Sequence, residues 1–144
     1  MVGILVTGHG HFATGLGSAL QLIAGTADNL AFVDFEADHS TEILTDNLNN
    51  ALDSLKDCDG VLVLADLAGG SPFKSAVECK FARPGQNIEV VAGTNLSMLV
   101  EGFVMMGAYT SPFDMSEALI TAGRNYIVRF ELEEHKDNED EDGI

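Results

Sequence analysis

The sequence predicts an α/β fold, a three-layer sandwich with a mainly parallel central sheet. Three observations carry this. Four short apolar runs rich in Val, Ile and Leu read as strands buried on both faces. Segments of helical period separate them, and glycine or proline falls near several of the handovers from strand to helix. Alternation of this kind implies right-handed crossovers between parallel strands.

The first strand is expected over Val2–Thr7, followed by Gly8-His9-Gly10-His11 and a helix over Phe12–Ile23. Leu30–Phe35 reads as the second strand. The helix expected over Ser40–Leu55 gathers Ile43, Leu44, Leu48, Ala51, Leu52 and Leu55 on one stripe. Gly60–Asp66 is the third strand, and Ser71–Phe81 the helix behind it, with Pro72 suited to the first helical position. A fourth strand, Ile88–Gly93, precedes a helix over Ser97–Met106. Ser111-Pro112-Phe113-Asp114 then supplies an N-cap, an early proline and an early acid for a last helix, which Gly123 is placed to end. Beyond it, "NYIVRFELE" (Asn125–Glu133) alternates apolar and more polar residues, the pattern of a strand with one covered face. That strand could lie antiparallel on the edge of its own sheet or be exchanged with a second subunit in a dimer, and the sequence leaves both open.

At 144 residues the chain is expected to form one domain, residues 1–133, followed by an acidic tail, 134–144. Eight acids lie between Glu131 and Asp142, a run expected to be solvated and disordered. No apolar run approaches the roughly 20 residues of a membrane span, and the N-terminus lacks the basic region and cleavage site of a signal peptide, so a cytoplasmic protein is expected. A net charge of −16 repels phosphate backbones and excludes nucleic acid as a natural partner. Cys58 and Cys79 have neither disulfide nor zinc spacing.

In an open parallel sheet, ligands gather beyond the carboxyl ends of the strands. Two notable stretches fall at that edge. Glycines flank His9 and leave its imidazole presented rather than packed. In "VLADLAGGSPFKS", the third strand ends in Asp66, and Gly69-Gly70 turns into a helix at Ser71-Pro72. A carboxylate at one strand tip can fix the tautomer of a histidine on the next and free its other nitrogen as a nucleophile. Gly69, Gly70 and Ser71 would aim amides, a helix N-terminus and a hydroxyl at an anion. Together these parts describe a phosphoryl acceptor. His11 is expected to line the rim or serve as an auxiliary site. Asp34, at the second strand's tip, either neighbours the site or, as favoured, caps the next turn. His39 and His135 are assigned no role.

These residues resemble the mannose-type enzyme IIA of the phosphoenolpyruvate-dependent sugar phosphotransferase system, roughly from Met1 to Arg124. The resemblance rests on three ordered motifs: His9-Gly10-His11-Phe12-Ala13 with Gly15, Asp66-Leu67-Ala68-Gly69-Gly70-Ser71-Pro72-Phe73, and Gly93-Thr94-Asn95-Leu96-Ser97-Met98-Leu99. It implies that His9 accepts a phosphoryl group from the phosphocarrier protein HPr and passes it to a IIB component that phosphorylates a sugar during uptake. Asp66 would orient the ring, while Gly10, Gly69, Gly70 and Ser71 would hold the phosphoryl oxygens. It further implies an α/β sheet, a homodimer that often exchanges its last strand, peripheral association with a IIC/IID permease through IIB, and no metal or organic cofactor. This chain departs from the family pattern at Gly8, where Ser or Thr is common, at Lys74, where Asn is frequent, and at Ser97, where Pro is frequent. It ends without a linker into a IIB domain, so a free-standing subunit is expected.

Three other readings compete. A similar IIA-like subunit feeds dihydroxyacetone kinase, but that relative typically carries Ser-His-Ser where this chain has Gly8-His9-Gly10. A pure binding module would carry no covalent phosphate. A metallohydrolase would use His9 and His11 as a His-x-His pair with help from Asp34 and Asp66.

Overall fold

The structure, a computed structural model, describes residues 1–133, so the acidic tail and His135 lie outside the described residues. Four strands form one parallel sheet in the order β2-β1-β3-β4: β1 (Val2–His9), β2 (Leu30–Phe35), β3 (Gly60–Ala65) and β4 (Ile88–Val91). Five α-helices connect and cover them: α1 (Phe12–Ile23), α2 (Thr41–Ser54), α3 (Ser71–Ala82), α4 (Leu96–Met105) and α5 (Pro112–Asn125). The predicted three-layer α/β architecture is the observed one.

The sheet interior is apolar on both faces, which explains why the strands lack polar alternation. Val2, Ile4, Val6, Leu62, Leu64 and Val91 pack with residues of α1, α4 and α5 on one side. Leu5, Val33, Val61, Val63 and Ile88 pack with α2 and α3 on the other. The α2 stripe supplies Leu44, Leu48, Leu52 and the adjoining Leu55, all essentially inaccessible, each worth about 1.5–3 kcal/mol on burial. Cys79 is buried and Cys58 half-buried, and burial pushes both thiols up, which disfavours the thiolate.

Helix starts follow their caps. The Ser40 side chain accepts from the Ile43 N–H, the Asn95 side chain from the Met98 N–H and the Ser111 side chain from the Asp114 N–H.

Three expectations change. β1 continues past Thr7 to His9, because β2 keeps pairing with it as far as His9 opposite Phe35 after β3 has ended. Gly123 does not end α5, which runs on to Asn125. Its role is close approach: a Cβ there would stand 2.5 Å from Cγ of Met98 on α4. Finally, Asn125–Glu133 is not a strand in this chain. Asn125 completes α5, Tyr126 turns, and residues 127–133 have no regular structure. Val128, Phe130 and Leu132 are each more than 80% exposed, so the apolar face of that pattern finds no cover among the described residues.

Candidate functional site: two histidine–aspartate pairs at the sheet's carboxyl edge

From β1 the chain crosses to β2 on one side and, through β3, to β4 on the other, so β1 and β3 flank the point where the winding reverses. In open sheets of this kind, ligands bind beyond the strand ends at that point. His9 ends β1 and Asp66 immediately follows β3, which sets the two side chains beside each other at the tips of neighbouring strands.

Asp66 grips His9 twice. Oδ2 accepts the His9 backbone N–H at 2.9 Å and lies 2.8 Å from the ring Nδ1, while Oδ1 accepts the Leu67 N–H at 2.8 Å. Burial pushes the Asp66 carboxyl up. The hydrogen bonds from the His9 N–H, the His9 ring and the Leu67 N–H outweigh it and hold the group below its ordinary value of 3.8. An ionised carboxylate can only accept, so Nδ1 carries a proton and the neutral ring presents its lone pair at Nε2. The acid is 10% exposed and the histidine 47%, so a sheltered anchor holds an accessible ring.

What faces the ring is the start of α3. A Cβ on Gly70, the N-cap, would stand 2.7 Å from His9 Cε1 and 3.4 Å from Nε2, so only glycine lets the ring lie this close. Gly69 makes the turn with φ of +84°. Among the described residues no side chain caps α3. The N–H groups of Ser71 and Phe73 therefore lack intrahelical partners and, with the helix dipole, favour an anion at the end where Nε2 lies. Phe35 packs against the same ring in an edge-to-face arrangement, with centroids 5.9 Å apart.

Gly10 plays a different part from the one expected of it. Its N–H donates to the Phe35 carbonyl at 2.7 Å and is not free for a phosphoryl oxygen. With φ of +59° it instead turns the chain so that the rings on either side meet different acids.

His11 Nδ1 lies 3.2 Å from Oδ2 of Asp34. Asp34 does not cap the turn that follows β2. It accepts the Thr14 N–H at 3.0 Å and the Thr14 hydroxyl at 2.7 Å, tying β2 to the first turn of α1. His39 closes that turn instead, its Nδ1 accepting the Glu36 N–H at 3.1 Å. The two rings are thus drawn to carboxylates on opposite sides of β1, and His9 does not join His11 in any convergent set of metal ligands among the described residues. The His-x-His metallohydrolase pair does not form.

The third motif braces the site from behind. The Gly93 N–H donates to the Asp66 carbonyl and the Thr94 N–H to that of Ala65, which fixes the tip of β3. Asn95 caps α4 and donates its amide to Gly123 of α5. Glycine at position 8 has a local cause: a Cβ there would lie 2.6 Å from Phe12 Cδ2 and 2.9 Å from Asp66 Cγ. Phe12 fills the space a hydroxyl would need.

Sequence reasoning did not single out Phe35, Thr14 or Glu36. Thr14 had a signal in its place three residues after His11 in the first turn of a helix. Glu36 had one in its spacing of two from Asp34 at a strand end.

A histidine held by a carboxylate, with its free nitrogen against an uncapped helix, accords with the comparisons. Residues 3–118 match the family described as PTS system fructose IIA component. The chain belongs to that family. It is an enzyme IIA component of the mannose/fructose type, within the sugar phosphotransferase system. It is 34% identical over 100 residues to the PTS system mannose-specific EIIAB component of Escherichia coli (strain K12), which covers 69% of this chain and 30% of that longer protein. The PTS system fructose-specific EIIA component of Bacillus subtilis (strain 168) is 31% identical over 101 residues, 70% of this chain and 68% of that one. Among solved structures, phosphotransferase system component EIIA from Streptococcus agalactiae is similar with a TM-score of 0.79 and 32% identity, covering 90% of this chain and 97% of that one. Among the described residues, no helix of this enzyme IIA is long and apolar enough to cross a membrane.

Proposed function

We propose that this chain is a phosphocarrier that receives a phosphoryl group from phospho-HPr on Nε2 of His9 and delivers it to a IIB component for sugar uptake. The observation that carries the reading is the position of Nε2, its partner nitrogen bound by Asp66 and its open side turned to the start of α3.

The Nε2 lone pair forms a bond to phosphorus as the bond from phosphorus to the donor breaks, its electron pair leaving with the donor. The proton stays on Nδ1, where Asp66 offsets the positive charge that develops on the ring. The amides of Gly70, Ser71 and Phe73 and the Ser71 hydroxyl receive the phosphoryl oxygens. Transfer to IIB reverses these roles. Proton traffic is limited to one held proton, so positioning and electrostatics supply the catalysis. The chain acts in the cytoplasm and reaches a IIC/IID permease through IIB.

We further infer a homodimer. The alternating apolar residues Tyr126, Val128, Phe130 and Leu132 are exposed, and β4 has an outer edge without a strand partner among the described residues. A second copy's segment, laid antiparallel on that edge, would satisfy both.

The test is phosphorylation with phosphoenolpyruvate, enzyme I and HPr, read as an acid-labile, base-stable adduct of one phosphate. His9→Ala should abolish it and His11→Ala retain it. Asp66→Asn should slow transfer on the order of 100-fold with the fold intact, because the wrong tautomer then faces the donor. Undiminished labelling of His9→Ala would end the proposal.

A further inference from the structure

The second histidine of the β1 turn sits in surroundings opposite in charge to those of the first. Around His9, one carboxylate holds Nδ1 and helix amides lie near Nε2. Around His11, a carboxylate lies beside each ring nitrogen: Asp34 Oδ2 is 3.2 Å from Nδ1, and Glu36 Oε1 is 3.9 Å from Nε2. One ligand atom each from His11, Asp34 and Glu36 lies within 4.8 Å of the other two. Ligands bound at about 2.0–2.2 Å in a tetrahedral zinc shell stand roughly 3.3–3.6 Å apart, so the three groups must draw in by up to about 1.5 Å to share an ion. Glu36, with its side chain 44% exposed, has the freedom to move inward.

Two further observations point to a cation. Among the described residues neither Asp34 nor Glu36 pairs with a lysine or arginine, although Asp53 and Glu89 elsewhere do. Asp34 is also held ready. Its carboxylate is 10% exposed and is fixed by both the N–H and the hydroxyl of Thr14, the kind of outer support that orients a metal ligand.

We propose that His11, Asp34 and Glu36 form a zinc-binding site on the tip of β2, adjacent to the phosphoryl site and separate from it. A donor set of one imidazole nitrogen and two carboxylate oxygens suits zinc, whereas magnesium and calcium favour oxygen alone. The exposed side of His11 leaves the fourth position to water or to an incoming group. The site does not depend on His9 being phosphorylated.

Isothermal titration of the full chain with zinc chloride, and in parallel with magnesium chloride, tests the proposal. Wild type should bind one zinc at this site, and His11→Ala and Glu36→Gln should each weaken it at least tenfold. His9→Ala should bind as wild type does, which separates this site from the phosphoryl site. Both substituted side chains are substantially exposed, and unchanged thermal unfolding of the variants without metal confirms that the fold persists. If His11→Ala binds zinc as tightly as wild type, the metal sits elsewhere and the proposal is overturned. A saturable magnesium response of equal strength, unaffected by either substitution, overturns it as well, since general acidic attraction then explains the binding.

Discussion

Oδ2 of Asp66 accepts the His9 backbone N–H and also holds its ring Nδ1, at 2.9 and 2.8 Å, across 57 residues of sequence. One oxygen thereby couples the end of β1 to the end of β3 and sets the ring's tautomer. Positioning of strand and imidazole cannot be separated here, because the same atom does both.

Gly70 is the most specific steric test of the site. Its φ of −84° is open to any residue, so alanine fits the backbone, yet the added methyl would meet His9 Cε1 at 2.7 Å. Gly70→Ala should therefore cost about 10- to 100-fold in phosphoryl transfer by displacing the ring, with the melting temperature little changed. Steady-state labelling alongside thermal unfolding checks this. Full activity would mean that the ring does not work from the position seen here.

Gly8→Ser would place a side chain in space that Phe12 already fills. The expected result is a loss of about 1–3 kcal/mol in urea unfolding, as for other overpacked cores. Pairing it with Phe12→Ala should cost less than the sum of the two single changes, because the smaller side chain makes room for the larger one. Strict additivity would show that Phe12 is not the obstacle.

Acid stability follows from the two aspartates. Asp66 and Asp34 both have folded-state pKa values below 3.8. Their contribution to stability is therefore fully present above the unfolded value, near 3.8, and is lost as the pH falls through the lower folded values. Melting temperatures recorded from neutral pH downward should decline more steeply below about pH 4 for wild type than for the Asp34→Asn, Asp66→Asn double variant. Parallel curves would remove these carboxylates from the account.

The segment after α5 should decide the assembly. Replacing Val128 and Phe130, both more than 80% exposed, with Asp should convert a dimer to a monomer while leaving each sheet folded. Light scattering coupled to size exclusion gives the mass directly. A wild-type monomer at the same concentration would refute the exchange.

How legible all this was varies with the range of the forces involved. The strands show as runs of Val, Ile and Leu because both sheet faces are covered, and α1 spans the predicted Phe12–Ile23 because its apolar period is unbroken. Gly123 misled because glycine serves both helix ends and close helix contacts, and only the 2.5 Å approach of Met98 distinguishes them. Asn125–Glu133 misled because alternation records a covered face without saying what covers it. Asp34 was read locally, as the cap of its own turn, whereas its partner Thr14 lies 20 residues earlier in the chain.

By itself the sequence determined the layer order, the parallel sheet and the pairing of His9 with a strand-end acid, since periodicity and glycine placement act over a few residues. Tertiary structure alone decided that His11 meets Asp34, that the Gly10 amide is taken by Phe35, and that a side chain at Gly8 would crowd Phe12 and Asp66. Those outcomes depend on distances between strand tips far apart in sequence, and such distances exist only once the sheet has closed around its core.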